Sequence, residues 1–259
     1  MDDLSVNSIV DGLSTKFLGK PVFYYASIAS TQPEAQHMAR LGATEGTMVI
    51  ADVQTAGRGR FDREWITQPG SGLAFSLVLR PYAWELPQIN MAVSLAIVKG
   101  VEASAGLEPT IKWPNDILIR GKKVCGILID SETEGASLAH VIVGIGINVN
   151  FDPSIHPEIA NIATSLSKEL GREVSRVKVL QAILKEMERL YGEIRLGSEA
   201  VYQDWKARLE TLGKHIRVRS GERVEVGWAE DVDPDGCLLL RRDDGTLLVV
   251  PAGEVTLRA

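Results

Sequence analysis

The segment Gln54 to Trp65, QTAGRGRFDREW, alternates Gly57 and Gly59 with Arg58 and Arg60 before Arg63. Glycines let backbone N–H groups come close to an anion, and guanidinium forks match phosphate or carboxylate oxygens. The composition suits a polyanion; a solvated basic loop between strands is the alternative. It is not a P-loop, which ends in Lys-Ser/Thr, nor a G-x-G-x-x-G dinucleotide turn. A second segment, KWPNDILIRGKKVCGILI from Lys112 to Ile129, sets Lys112, Asn115 and Asp116 at a turn made by Pro114. Such a cluster could bind phosphate, position a nucleophile or hold Mg2+, and an ordinary Asn-Asp turn competes with those roles. Lys123 either serves solubility on a strand edge or meets a ligand, while Gly126 inside a strand makes room for a close approach. In VIVGIGINVN, Gly144, Gly146 and Asn148 fall on one strand face, which suits a ligand lying over it or a closely packed backbone.

Positioning these segments requires a sheet with helices against it. Residues 22–26 and 47–53 read as strands, joined by a helix from Thr31 to Leu41, and Leu73 to Leu79 is the next strand. Apolar residues at Ile89, Ala92, Val93, Ala96, Ile97 and Val101 predict a helix to Ala105, stopped by Gly106. Strands follow at 110–113, 117–120, 124–130 and 138–146, with turns at Gly121 and over 131–136. This order makes a mixed sheet, not a βαβ alternation. Ser175 is a good N-cap for a helix whose stripe runs from Val177 to Ile194, and a third helix begins near Ser198. After Gly213 the pattern becomes short strands at 214–219, 223–230, 236–241 and 246–250. The expectation is an α+β protein: a catalytic domain over 1–212 with a mixed β-sheet and flanking helices, then a small β-barrel-like module over 213–259.

At 45% hydrophobic and 24% charged over 259 residues, the chain can bury a substantial core and is not of disordered composition. Its net charge of −6 argues against broad affinity for nucleic acid, which needs an extended Lys and Arg surface. Cys125 and Cys237 are too few and too far apart for a disulfide framework or a metal site, and read as free thiols in a reducing compartment. The acidic N-terminus lacks the features of a secretory signal, and the longest uncharged apolar stretch, Ile89 to Val98, is about half of the ~20 residues that a membrane helix needs. A cytoplasmic protein without a membrane span is expected.

In order, Ser30-Thr31, Gln54-Thr-Ala-Gly-Arg-Gly-Arg60, Trp65, Lys112-Trp-Pro-Asn-Asp116, Lys123-Val-Cys-Gly126 and Gly144-Ile-Gly-Ile-Asn148 resemble the biotin protein ligase family. The likeness spans residues 22–150, and the C-terminal module, SH3-like in that family, extends it to the end. One departure is Gln32, where the family shows Asn, so the role of that Asn is not carried over. The repressor-type members add an N-terminal helix-turn-helix domain; too few residues precede the first core strand here, so a monofunctional type is expected.

The resemblance implies an ATP-dependent ligase that forms biotinyl-5′-AMP and passes biotin to a lysine of a biotin carboxyl carrier protein. Ser30, Thr31 and Gln54 would hydrogen-bond the ureido head of biotin, with Gly144 and Gly146 leaving space beside the ligand. Gly57, Arg58, Gly59 and Arg60 would belong to a loop folding over it, and Lys123 and Gly126 would complete the biotin site. Lys123 would contact the carboxylate and α-phosphate, Arg63, Lys112 and Asn115 would sit near the phosphates, Trp65 would pack by the adenine, and Arg58, Arg60 and Asn148 would complete the ATP and adenylate site. Lys123, Arg60, Lys112 and Asp116 are the catalytic candidates, Asp116 to accept or orient the proton of the carrier lysine. Mg2+ would come with ATP and not in a fixed site. Monomer and homodimer both stay open. A lipoate or octanoate ligase or transferase of the same superfamily, and a non-catalytic biotin-binding module, are the rival readings.

Overall fold

The computed structural model describes residues 4–135 and 137–257. Uninterrupted apolar runs become central strands: β2 (Met48–Gln54) buries its first four residues, Met48 to Ala51, and β3 (Gly72–Leu79) buries Leu73 to Leu79, because helices pack on both faces of the sheet there. The remaining strands of this sheet are β1 (Val22–Ile28), β4 (Thr110–Lys112), β5 (Asp116–Ile119), β6 (Lys122–Glu134) and β7 (Ser137–Asn148). Their order is β1-β2-β3-β7-β6-β5-β4. Only β1 and β2 run parallel, which makes the sheet mixed, as the order of elements predicts.

Two layers of helix flank it. The helices α3 (Leu86–Ala105) and α5 (Arg176–Arg195) share one core cluster with Ile50, Phe75, Leu77, Val143 and Ile145 on one face. Gly106 ends α3 in the left-handed region at φ 67°, donating to the Glu102 carbonyl, and the Ser175 side chain caps α5 by accepting from the Lys178 N–H. On the opposite face α2 (Thr31–Arg40) packs Ala35 and Ala39 onto Val49, Val78 and Ile142. That helix is only ten residues long. Its first residues, Thr31 and Gln32, reach Ser76 and Gly144, and no helix covers the face beyond them toward Gly126 and Gly146; the site lies there.

Two short helices, α1 (Val6–Val10) and α4 (Leu166–Leu170), escape the periodicity because five residues carry too little of a stripe. The third expected helix, α6 (Ala200–Ala207), starts two residues after Ser198. The turn expected over 131–136 includes Ala136, outside the described residues; β6 and β7 are longer than predicted and pair as far as Glu134 with Ser137.

A second, antiparallel sheet has the order β11-β10-β9-β8-β12, from β8 (His215–Ser220), β9 (Arg223–Val232), β10 (Leu238–Arg241), β11 (Leu247–Val250) and β12 (Glu254–Leu257). The last strand is absent from the sequence reading: four residues with a charge at the start give no pattern, and only non-local pairing with β8 makes them a strand. One core runs through both sheets, joining Trp113 and Trp205 to Val232 and Leu238. The Trp113 indole N–H donates to the Gly236 carbonyl at 2.9 Å, and Tyr202 Oη donates to Val232 O at 2.7 Å. These contacts hold β12 beside the open end of the first sheet.

Candidate active site

A cavity of about 470 Å³ opens over the uncovered sheet face, lined from widely separated places in the chain. Its floor comes from strand register: Ser76 pairs with Gly144 and Gly144 with Leu128, while Ala74 pairs with Gly146 and Gly146 with Gly126. Directly opposed residues share a face, so the glycines of β6 and β7 form one bare strip. Its walls are the start of α2, the loop after β2, the Lys112–Asp116 turn, the segment 159–163 and the strand β12.

At one end the groups are neutral and tightly paired. Gln54 Oε1 accepts from the Thr31 backbone N–H at 2.8 Å and the Thr31 hydroxyl at 3.1 Å; that hydroxyl lies 2.9 Å from Ser76 Oγ. With the Gln54 oxygen thus occupied, its Nε2 is the atom left to donate elsewhere. Ser30 is the N-cap residue of α2, yet its buried side chain makes no capping bond, which leaves the hydroxyl to the cavity. Gln32 continues the network, accepting from Ser76 Oγ at 3.0 Å. Its oxygen would lie 2.3 Å from a Cβ on Gly144, so the side chain fills the space that glycine leaves.

The other end is charged. Lys123 Nζ sits 2.6 Å from Asp116 Oδ1, and the Lys123 backbone is clamped by 2.8 Å bonds to Ile162 O and from Thr164 N–H. Arg60 donates to Asn115 Oδ1 at 2.7 Å and to the Gly253 carbonyl at 3.3 Å, and Asn115 Nδ2 donates to Ile127 O at 2.6 Å. Burial pushes the Arg60 guanidinium below its ordinary pKa, against the pull of Asp116 and Glu254. Arg63 pairs with Glu254 of β12 at 2.5 Å. Lys112 also lines the cavity. Cations held by carboxylates that phosphates could replace are a natural anchor for a nucleotide.

The arginine segment folds back on itself: Gly59 N–H donates to Arg63 O at 2.7 Å and Trp65 N–H to Gly57 O at 2.9 Å. Gly57 stands at this neck and does not line the cavity; a Cβ there would come within 2.3 Å of the Trp65 carbonyl oxygen. Phe61 at the tip has φ 57° and stays exposed. Trp65 lays its indole on the bare strip, where a Cβ on Gly146 would meet it at 2.3 Å and one on Gly126 at 3.3 Å, with Lys123 Nζ 5.8 Å from the ring centroid. The open face expected at Gly144 and Gly146 therefore carries two side chains of the protein itself.

Apart from Gly57, every site residue singled out in the sequence lines this one cavity, including Arg58 and Asn148. Asn148 is buried and donates to Thr164 O at 3.0 Å. The sequence reading missed Ser76, Phe151, Ile162, Gly253, Glu254 and Thr256, all of which line the cavity. Ser76 sits in an apolar strand, where a lone serine is the one available signal; Phe151 and Ile162 belong to a motif-free loop, and Gly253, Glu254 and Thr256 to β12 and the residue before it.

A cavity with a neutral hydrogen-bonding end and a cationic end suits a small polar acid beside a nucleotide. Comparisons with known proteins agree: residues 24–148 match the model of the Biotin/lipoate A/B protein ligase family, and residues 211–258 that of the Biotin protein ligase C terminal domain. The chain is 41% identical over 246 residues to the bifunctional ligase/repressor BirA of Bacillus subtilis, covering 93% of this chain and 76% of that one. It is 35% identical to the biotin--[acetyl-CoA-carboxylase] ligase of Paracoccus denitrificans, covering 87% and 96%. Among solved structures, the biotin protein ligase from Aquifex aeolicus in complex with biotin and ATP superposes with a TM-score of 0.78 at 31% identity, over 92% of this chain and 99% of that one. The chain belongs to the biotin protein ligase family.

Proposed function

We propose that the protein activates biotin with ATP as biotinyl-5′-AMP and transfers it to a lysine of a biotin carboxyl carrier protein of a biotin-dependent carboxylase. The observation that carries this reading is the single cavity, in which the Ser30, Thr31 and Gln54 cluster is continuous with Lys112, Asn115, Lys123 and Arg60. A cyclic urea has one carbonyl acceptor and two N–H donors. The Ser30 hydroxyl and Gln54 Nε2 supply donors, and the Gln32 oxygen an acceptor; unpaired, such buried groups cost roughly 1–3 kcal/mol each.

A carboxylate is a poor acyl donor, because its leaving group would be oxide. In the first step the biotin carboxylate oxygen bonds to the α-phosphorus of ATP and the bond to pyrophosphate breaks. The protein aligns the two and neutralises the phosphoryl oxygens with Lys123, Arg60 and Lys112. Lys123 is held at the charged end by Asp116, and substrate oxygens would take the place of Asp116 on its ammonium. Mg2+ would enter with the nucleotide. Asp116, Asn115 and Glu254 bring hard oxygen ligands there, and among the described residues no group of three His, Cys, Asp or Glu able to hold a metal gathers. Bound, it would add positive charge at the phosphates.

In the second step the neutral amine of the carrier lysine attacks the acyl carbon, and the acyl–oxygen bond breaks with AMP taking the electron pair. Asp116, freed from Lys123, takes the amine proton or orients it. The arginine loop shields the adenylate from water. No helix among the described residues is long and apolar enough to cross a membrane.

ATP–pyrophosphate exchange measured with biotin, lipoate and octanoate tests the reading. Exchange with biotin alone supports it; exchange with the fatty acids shifts the activity to lipoate-type chemistry, and none with any acid leaves a binding module.

A further inference from the structure

The neutral end of the cavity contains one amide whose direction is set from outside it. Gln32 is buried, and its Nε2 donates to Asp130 Oδ2 at 3.0 Å and to the Ile142 carbonyl at 3.2 Å. Neither Asp130 nor Ile142 lines the cavity, whereas Gln32, Ser76 and Gly144 do. Both amide protons are therefore spent behind the wall. The oxygen is left on the cavity side, accepting from Ser76 at 3.0 Å and lying against Gly144.

A carboxylate and a carbonyl oxygen accept hydrogen bonds but cannot donate them. Turning the amide over would set its oxygen against two acceptors and its NH2 toward Ser76 and the cavity. Of the two partners, the Ile142 carbonyl is backbone, present whatever the side chain. Asp130 is the part under the control of the sequence, and it is charged, which roughly doubles the strength of the bond. It stands on the exposed flank of β6, opposite Ile142 of β7, where the strand leaves the core.

We infer that Asp130 is a positioning residue for biotin: it turns the Gln32 carboxamide so that its oxygen, and not its NH2, meets a ureido N–H. The inference rests on the proposed function and deepens it. It also accounts for the longer side chain at 32. The extra methylene lets the amide reach past Gly144 to a carboxylate on the second strand over, and Gly144 has no Cβ to stop it.

The test is biotin-dependent pyrophosphate exchange by the full chain, with KM and kcat determined for Asp130→Leu and Asp130→Asn, alone and in a Gln32→Leu background. Asp130→Leu is expected to raise KM for biotin about tenfold, with kcat within about twofold and KM for ATP unchanged, the effect of losing one charge-assisted bond. Asp130→Asn keeps an oxygen that can accept from Nε2, and should stay within about threefold of wild type. With Gln32→Leu already in place, Asp130→Leu should change KM by less than about twofold, since two residues acting through one bond are not additive. An unaltered KM in Asp130→Leu, or an equal rise in the Gln32→Leu background, overturns the role. Wild-type exchange is the control that separates the two failures. If biotin supports none, the ligase reading falls; if it does, and Asp130→Leu behaves as wild type, only the role of Asp130 falls.

Discussion

The two ends of the cavity are built on opposite plans. At the neutral end, Thr31, Gln32, Gln54 and Ser76 sit on the start of a helix and on central strands, and they satisfy one another through hydroxyls and amides. At the charged end, Lys123, Arg60 and Arg63 are held by Asp116, Asn115 and Glu254, partners drawn from a turn and from the second sheet. On the proposed function the neutral end takes a urea and the charged end a triphosphate. A urea must be matched atom by atom, so its donors and acceptors are arranged in advance on rigid elements. A triphosphate is matched by charge, and its cations can wait in ion pairs that the ligand replaces.

Breaking the charged end should have the largest effect. Lys123→Ala removes the cation that the proposed function sets against both the acid and the α-phosphate, and should lower kcat in pyrophosphate exchange by roughly 10²-fold or more. Gly144→Ala attacks the neutral end: the added Cβ would lie 2.3 Å from the Gln32 oxygen and push the amide out of register. A rise of about tenfold in KM for biotin is expected, with KM for ATP little changed, since one misplaced hydrogen bond is worth roughly 1–2 kcal/mol. The reverse pattern, an ATP effect and no biotin effect, would contradict the division of the cavity.

Arg60→Ala cuts the tie from the loop to Asn115 and Gly253. Biotinyl-adenylate should then escape, appearing free in solution during turnover at several times the wild-type level, whereas unchanged retention counts against the loop as a cover. Ionic strength offers the mildest comparison. Taking salt from 0.05 to 0.5 M shortens the screening length from about 14 Å to about 4 Å, so KM for ATP should rise a few-fold while KM for biotin holds. Equal responses of the two constants would mean that the ends are not electrostatically distinct.

Most of the first sheet is legible in the chain because local pattern and tertiary position agree. The runs at 48–51 and 73–79 are apolar because they are central, and Gly106 and Ser175 mark helix ends by local backbone chemistry. The site is legible for a related reason: Gly126, Gly144 and Gly146 are odd within strands, and the arginines are odd among glycines. What stays hidden depends on partners distant in sequence. Ser76 is meaningful only once Thr31 and Gln32 stand over it, and Glu254 only once β12 is brought to the loop by pairing with β8.

The chain by itself determined the kinds of group available: cations among glycines, amides and hydroxyls at helix and strand ends, and bare positions along two strands. Tertiary structure alone decided which of those groups face each other. Gly57 and Gly146 look alike in sequence, yet one closes the neck of a loop and the other floors the cavity under Trp65. The physical reason is that glycine specifies only that something comes close. What comes close is set by strand register and by a helix that stops short of covering the sheet.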